Sequence, residues 1–143
     1  MTLTNDFAAQ RAKYNRDAIL SATPGTLLTM LYDRLLLDLG RAEAAQERED
    51  WDVARENLLH AQDIVAELSS SLKVDAWDGA SALFGLYTYV SGLLVTANIH
   101  RNITHTRECI SVLEPLREVW YVAAADVPAE RPRMASSGML GIG

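Results

Sequence analysis

The chain has 143 residues, 49% apolar and 22% charged, which is enough for one domain with its own core and unlike a wholly disordered segment. A formal net charge of −6 without a dense Lys/Arg cluster argues against nucleic acid and anionic membrane surfaces as partners. Cys109 is the single cysteine, which excludes an intramolecular disulfide and a cysteine-based metal cluster.

The opening Met1-Thr2-Leu3-Thr4-Asn5-Asp6 lacks the basic and apolar regions of a secretory signal. Apolar runs are broken by Thr, Ser, Asn or charge short of the ~18 residues of a membrane span, so no membrane insertion and a cytoplasmic location are expected. From residue 6 to about 126 the periodicity is helical throughout. A short N-terminal helix over 7–22 carries Tyr14, Ala18 and Ile19. Thr23-Pro24-Gly25 then reads as a helix start, since Thr23 can cap the first amides and proline suits the first helical position. The helix over 24–48 places Leu28, Leu31, Tyr32, Leu35, Leu39 and Ala42 on one broad face. Leu27, Met30 and Leu37 fall outside that arc. A second apolar stripe on a soluble protein is usually hidden against something else.

Glu47-Arg48-Glu49-Asp50 forms a polar corner, with Asp50 as the cap of the next helix. Trp51, Ala54, Leu58, Ala61, Val65, Leu68 and Leu72 alternate at three and four, the seam of a bundle helix. After a connection over 73–79, a helix over 79–103 has Leu83, Leu86, Tyr87, Val90, Leu93, Leu94 and Ala97 on its core face. Phe84, Val95 and Ile99 lie about a third of a turn away, with Thr88, Ser91 and Gly92 between, like a groove that a partner helix could enter. The last helix, over 104–125, is expected to bury Cys109, Val112, Leu113, Leu116, Val119, Trp120 and Ala123 and to kink at Pro115. Composition turns to Pro, Arg, Ser and Gly after Val127. The expected organisation is a single all-α domain over 1–126, an antiparallel four-helix bundle with an additional short N-terminal helix, followed by a flexible tail over 127–143.

Little in the chain points to catalysis. Di-iron bundles need Glu-x-x-His pairs, which are missing, and Glu56 and His60 stand four apart without a second set of inward carboxylates. His60, His100 and His105 read as surface or helix-end residues, and Cys109 as a small buried hydrophobe. Asp33, Asp38, Glu43 and Glu47 read as a solvated face. Phosphate loops, nucleophile elbows and nucleotide fingerprints are missing from the sequence. No catalytic residue, metal or cofactor is expected.

Several fragments together resemble the flagellin-specific export chaperones called FliS. They run from Tyr14 through Ala22-Thr23-Pro24, Leu31-Tyr32-Asp33 and Leu58-x-x-Ala61-x-x-Ile64-Val65-x-Glu67-Leu68. Leu86-Tyr87-x-Tyr89, Ala97-Asn98-x-x-Arg101-Asn102 and Leu116-Arg117-x-x-Trp120 follow in order. The resemblance covers most of the chain and implies a cytoplasmic, non-enzymatic chaperone. Its client would be the disordered C-terminal segment of flagellin, wrapped around the bundle and presented to the export gate of the flagellar type III apparatus. By carry-over, Tyr14 and Ile19 belong to an N-terminal segment that could cover the groove when it is empty. Helix geometry assigns Leu27, Met30, Tyr32, Leu37, Phe84, Val95 and Ile99 as contacts, while Asn98 matches a family position able to hydrogen-bond to partner backbone. The competing reading is a bundle that self-associates through the same stripes without a client. A monomer or weak dimer is expected.

Overall fold

The computed structural model describes residues 9–10 and 24–126. Four helices account for the latter stretch: α1 Pro24–Glu47, α2 Trp51–Ser71, α3 Ala80–Ile99 and α4 Ile103–Asp126. Of the expected N-terminal helix only Ala9 and Gln10 are described, both helical. Tyr14, Ile19, Thr23 and the 127–143 segment lie outside the described residues.

Spacings of three and four put the largest apolar side chains on one line of each helix, and those lines form the core. Tyr32, Leu35, Leu39 and Ala42 of α1 meet Leu58, Ala61, Ile64, Val65 and Leu68 of α2, Tyr87, Val90, Leu94 and Ala97 of α3, and Cys109 and Leu113 of α4. Neighbours in sequence pack side by side, and α4 returns against α1 to close the ring. Side-chain bonds fix the directions. Arg107 reaches Glu43 and Glu47 while Arg117 reaches Asp33, so α1 and α4 are antiparallel. Tyr32 meets Tyr87 and Gln46 meets Ala97, so α1 and α3 run parallel across the diagonal. The bundle is therefore up-down-up-down.

Two of the junctions are built alike. After α1 the chain turns at Glu49 (φ 59°), with Asp50 N–H donating to Ala45 O at 2.8 Å and Glu49 N–H to Gln46 O at 3.1 Å. After α3 it turns at Arg101 (φ 52°), with Asn102 N–H donating to Ala97 O at 2.9 Å and Arg101 N–H to Asn98 O at 3.4 Å. Both are Schellman closures in which a non-glycine residue takes the left-handed position. In each, the next residue caps the following helix: Asp50 accepts from Val53 N–H at 3.4 Å, and Asn102 from His105 N–H at 3.2 Å. This device ends α3 at Ile99, short of the 103 read from periodicity.

Three sequence expectations need correction. Val119 and Ala123 are exposed, because at 100° per residue Val119 falls about 100° from the centre of the buried arc through Cys109, Leu113 and Trp120. Asp38 is fully buried between Arg34 and His60, whereas it was expected on a solvated face. Finally, α3 is long and apolar enough to cross a membrane by length and composition. Its interrupting Thr, Ser, Gly and Asn residues carry no charge, and in the fold its Tyr87, Val90, Leu94 and Ala97 pack into the bundle.

Candidate partner-binding surface

Helix α3 has a sealed side and an open one. Tyr87 and Val90 are buried, while Phe84 (43% exposed), Val95 (38%) and Ile99 (67%) form a row toward solvent. Of the hydroxyls beside that row, Thr88 Oγ1 donates back to Phe84 O at 3.0 Å, while Thr96 Oγ1 lies 3.1 Å from Leu93 O and 2.7 Å from His105 Nδ1 on α4. Both hydroxyls thus have partners inside the bundle. Between α3 and α2 the row borders a shallow groove of ≈ 450 Å³, with Val65, Ala66 and Ser69 on its other bank and Ser91 and Gly92 leaving it wide.

At the end of the bundle holding Pro24 lies a second, apolar cavity of ≈ 480 Å³, walled by Leu27, Leu28, Leu31, Leu72, Trp77, Leu83 and Trp120. The Trp77 ring lies over Gly79, where a Cβ would displace it. Below this cavity Tyr32 Oη and Tyr87 Oη share a hydrogen bond of 2.7 Å, and Trp120 meets Tyr32 edge to face at 6.3 Å. Burial raises the pKa of both tyrosines above the usual phenol value, so both stay neutral. Tyr32 is completely buried and cannot touch a partner, which corrects its assignment as a contact. Its ring is large enough to span the core, and its hydroxyl has a partner inside.

A third groove, of ≈ 1030 Å³, runs between α1 and α4. Leu36 and Leu37 form its floor with Pro115, and Asp33, Glu114 and Glu118 give it an acidic rim broken by Arg117. Arg117 Nε donates to Asp33 at 2.5 Å, Tyr121 Oη donates to the same carboxylate, and the guanidinium lies 4.6 Å from the Tyr121 ring centroid. Arg107 holds Glu43 and Glu47, each at 2.7 Å. Acids read as a solvated face therefore set the register of α1 against α4. Exposed pairs of this kind specify geometry more than they stabilise.

The expected contact residues divide among these places. Phe84 and Val95 share the α2–α3 groove, with Ile99 and the half-buried Asn98 at its far end. Leu37 (46% exposed) lies in the α1–α4 groove on the opposite side of the bundle. Leu27 lines the end cavity, and Met30 is half-buried. Tyr14 and Ile19 fall outside the described residues. Sequence reasoning missed the exposed Trp77, Val119 and Val122; the spacing of Val119 and Val122, three apart beside the arc of Trp120, was the available signal. Cys109 is buried, and burial pushes its thiol up to about 12, with Glu108 adding to the shift. Among the described residues, no group of three or more His, Cys, Asp or Glu converges on one point.

Comparison with known proteins places this geometry in context. A family model described as "Flagellar protein FliS" matches residues 7–127. The chain is 31% identical over 138 residues to the flagellar secretion chaperone FliS of Bacillus subtilis, covering 96% of this chain and 98% of that protein. It is also 31% identical over 119 residues to the flagellar secretion chaperone FliS of Campylobacter jejuni, covering 82% and 91%. The crystal structure of a bacterial flagellar chaperone superposes with a TM-score of 0.67 at 22% identity, covering 85% of this chain and 98% of that one. That likeness shows a common fold.

Proposed function

This chain belongs to the flagellar protein FliS family, and from that premise we propose that it binds the C-terminal segment of flagellin. In this reading it keeps its client from polymerising early and presents it, in the cytoplasm, to the gate of the flagellar type III export apparatus. The family is one of flagellar secretion chaperones, not of enzymes. The observation that carries the finer reading is the exposed apolar row Phe84, Val95 and Ile99 beside the α2–α3 groove. Charged residues are absent from α3, so the row has no internal reason to face water.

The location of Leu37 supports a wrapping client. The α1–α4 and α2–α3 grooves lie on opposite sides, so a segment using both must pass around the bundle. A segment that orders on binding loses several kcal/mol of conformational freedom, and a long apolar contact can offset that where one pocket cannot. Calorimetric titration with the last ~40 residues of the organism's flagellin tests the reading, with a clearly negative heat-capacity change as the expected signature of apolar burial. Phe84→Asp combined with Val95→Asp should abolish the heat and leave the thermal melt within a few degrees of wild type. A stable dimer by light scattering that the peptide does not alter would favour self-association instead.

A further inference from the structure

The apolar row on α3 ends at a pocket with different chemistry. Beyond Val95 it reaches a recess of ≈ 210 Å³ between the last turn of α3 and the first turns of α2, lined by Gln46, Trp51, Arg55, Asn98, Ile99 and Arg101. The Arg101 guanidinium lies 4.9 Å from the centroid of the Trp51 ring, which holds it by cation–π attraction. Among the described residues, neither Arg55 nor Arg101 has a carboxylate partner. Asp52 lines the same recess, so two guanidiniums there are opposed by one acid, in a chain of net charge −6. Gln46 is 4% exposed; its Nε2 donates to Ala97 O at 3.4 Å, and its Oε1 is buried without a hydrogen-bond partner. Buried acceptors left unpaired are uncommon, and this one belongs to a residue lining the recess.

We propose that this recess captures the terminal carboxylate of the bound segment. Arg55 and Arg101 take the two carboxylate oxygens, and Trp51 keeps the Arg101 guanidinium in place. The proposal rests on the reading that a client lies along the α2–α3 groove, and it assigns that client a direction, with its final residue at the Ile99 end. A chain end is favoured over an acidic side chain because the track stops there. Past Ile99 the backbone turns at Arg101 into α4, leaving no further α3 surface to follow.

The test uses the whole chain, as wild type and as the double variant Arg55→Gln/Arg101→Gln, titrated with the flagellin C-terminal peptide as free acid and as C-terminal amide. The amide is expected to bind wild type about tenfold more weakly, or about 1.4 kcal/mol, and the double variant should bind both forms alike. Equal affinity of acid and amide for wild type overturns the pocket while leaving the groove reading intact. An equal loss for both forms in the variant also overturns it, by giving the arginines an internal acid to hold. Failure of both forms to bind wild type overturns the groove reading and the pocket together. Should the variant not fold, the acid-to-amide ratio on wild type decides alone.

Discussion

Tyr32 and Tyr87 are 55 residues apart in sequence and joined by a single buried bond between two hydroxyls. Removing one partner strands the other, so Tyr87→Phe should lose about 1–2 kcal/mol in urea unfolding, and adding Tyr32→Phe should recover part of it. Burial raises both phenol pKa values, so the folded state holds these protons more tightly than the unfolded chain does. Their contribution is complete below about pH 10 and is lost as pH rises past it; a stability profile taken to pH 11 should fall, and the Phe/Phe protein should fall less. Sequence alone could place Tyr32 on the core face by spacing. It could not decide between core and contact, because an amphipathic side chain suits both and the deciding partner is a hydroxyl far along the chain. Asp38 was illegible for the same reason: only the fold brings His60 to it across α1 and α2.

Helices were the most legible level. The heptad-like seam of α2 is buried from Ala54 to Leu68, and Asp50 caps it as its position before an apolar run suggested. Helix ends without glycine were harder, and the reading ran past Ile99 because neither Asn98 nor Arg101 announces a stop. Glu49 and Arg101 occupy left-handed backbone that glycine adopts without steric cost. Replacing Glu49 with glycine should therefore raise stability by about 0.5–1 kcal/mol, seen as a higher urea midpoint with an unchanged slope. Exposure along α3 was legible too, since Phe84, Val95 and Ile99 stand off the Tyr87–Leu94 line. The partners that their neighbours' hydroxyls find were not.

Across the whole molecule, the two kinds of apolar surface should answer differently to charge. Leu58→Asp places a carboxylate in the sealed core and should lower stability by about 4 kcal/mol or more, enough to unfold a marginal bundle. Leu37→Lys, on the open α1–α4 groove, should change it by no more than about 0.5 kcal/mol. Circular dichroism melts of the two proteins compare them directly. Sequence distinguished these two residues but not their placement on opposite sides, which depends on the order of helices around the ring.

The two Schellman turns, at Glu49 and at Arg101, lie at one end of the bundle, whereas among the described residues the other end is joined by the 72–79 connection and holds the start of α1 and the finish of α4. A bundle clasped at one end should loosen first at the other, as a pair of tongs opens away from its rivet. Amide hydrogen exchange would record this as a gradient along every helix: slow near Ala45 and Ala97, faster toward Leu28, Leu68, Leu83 and Trp120. The apolar cavity sits at that faster end, so the recess beside Trp77 would be the part of the molecule most free to change its volume for whatever enters it.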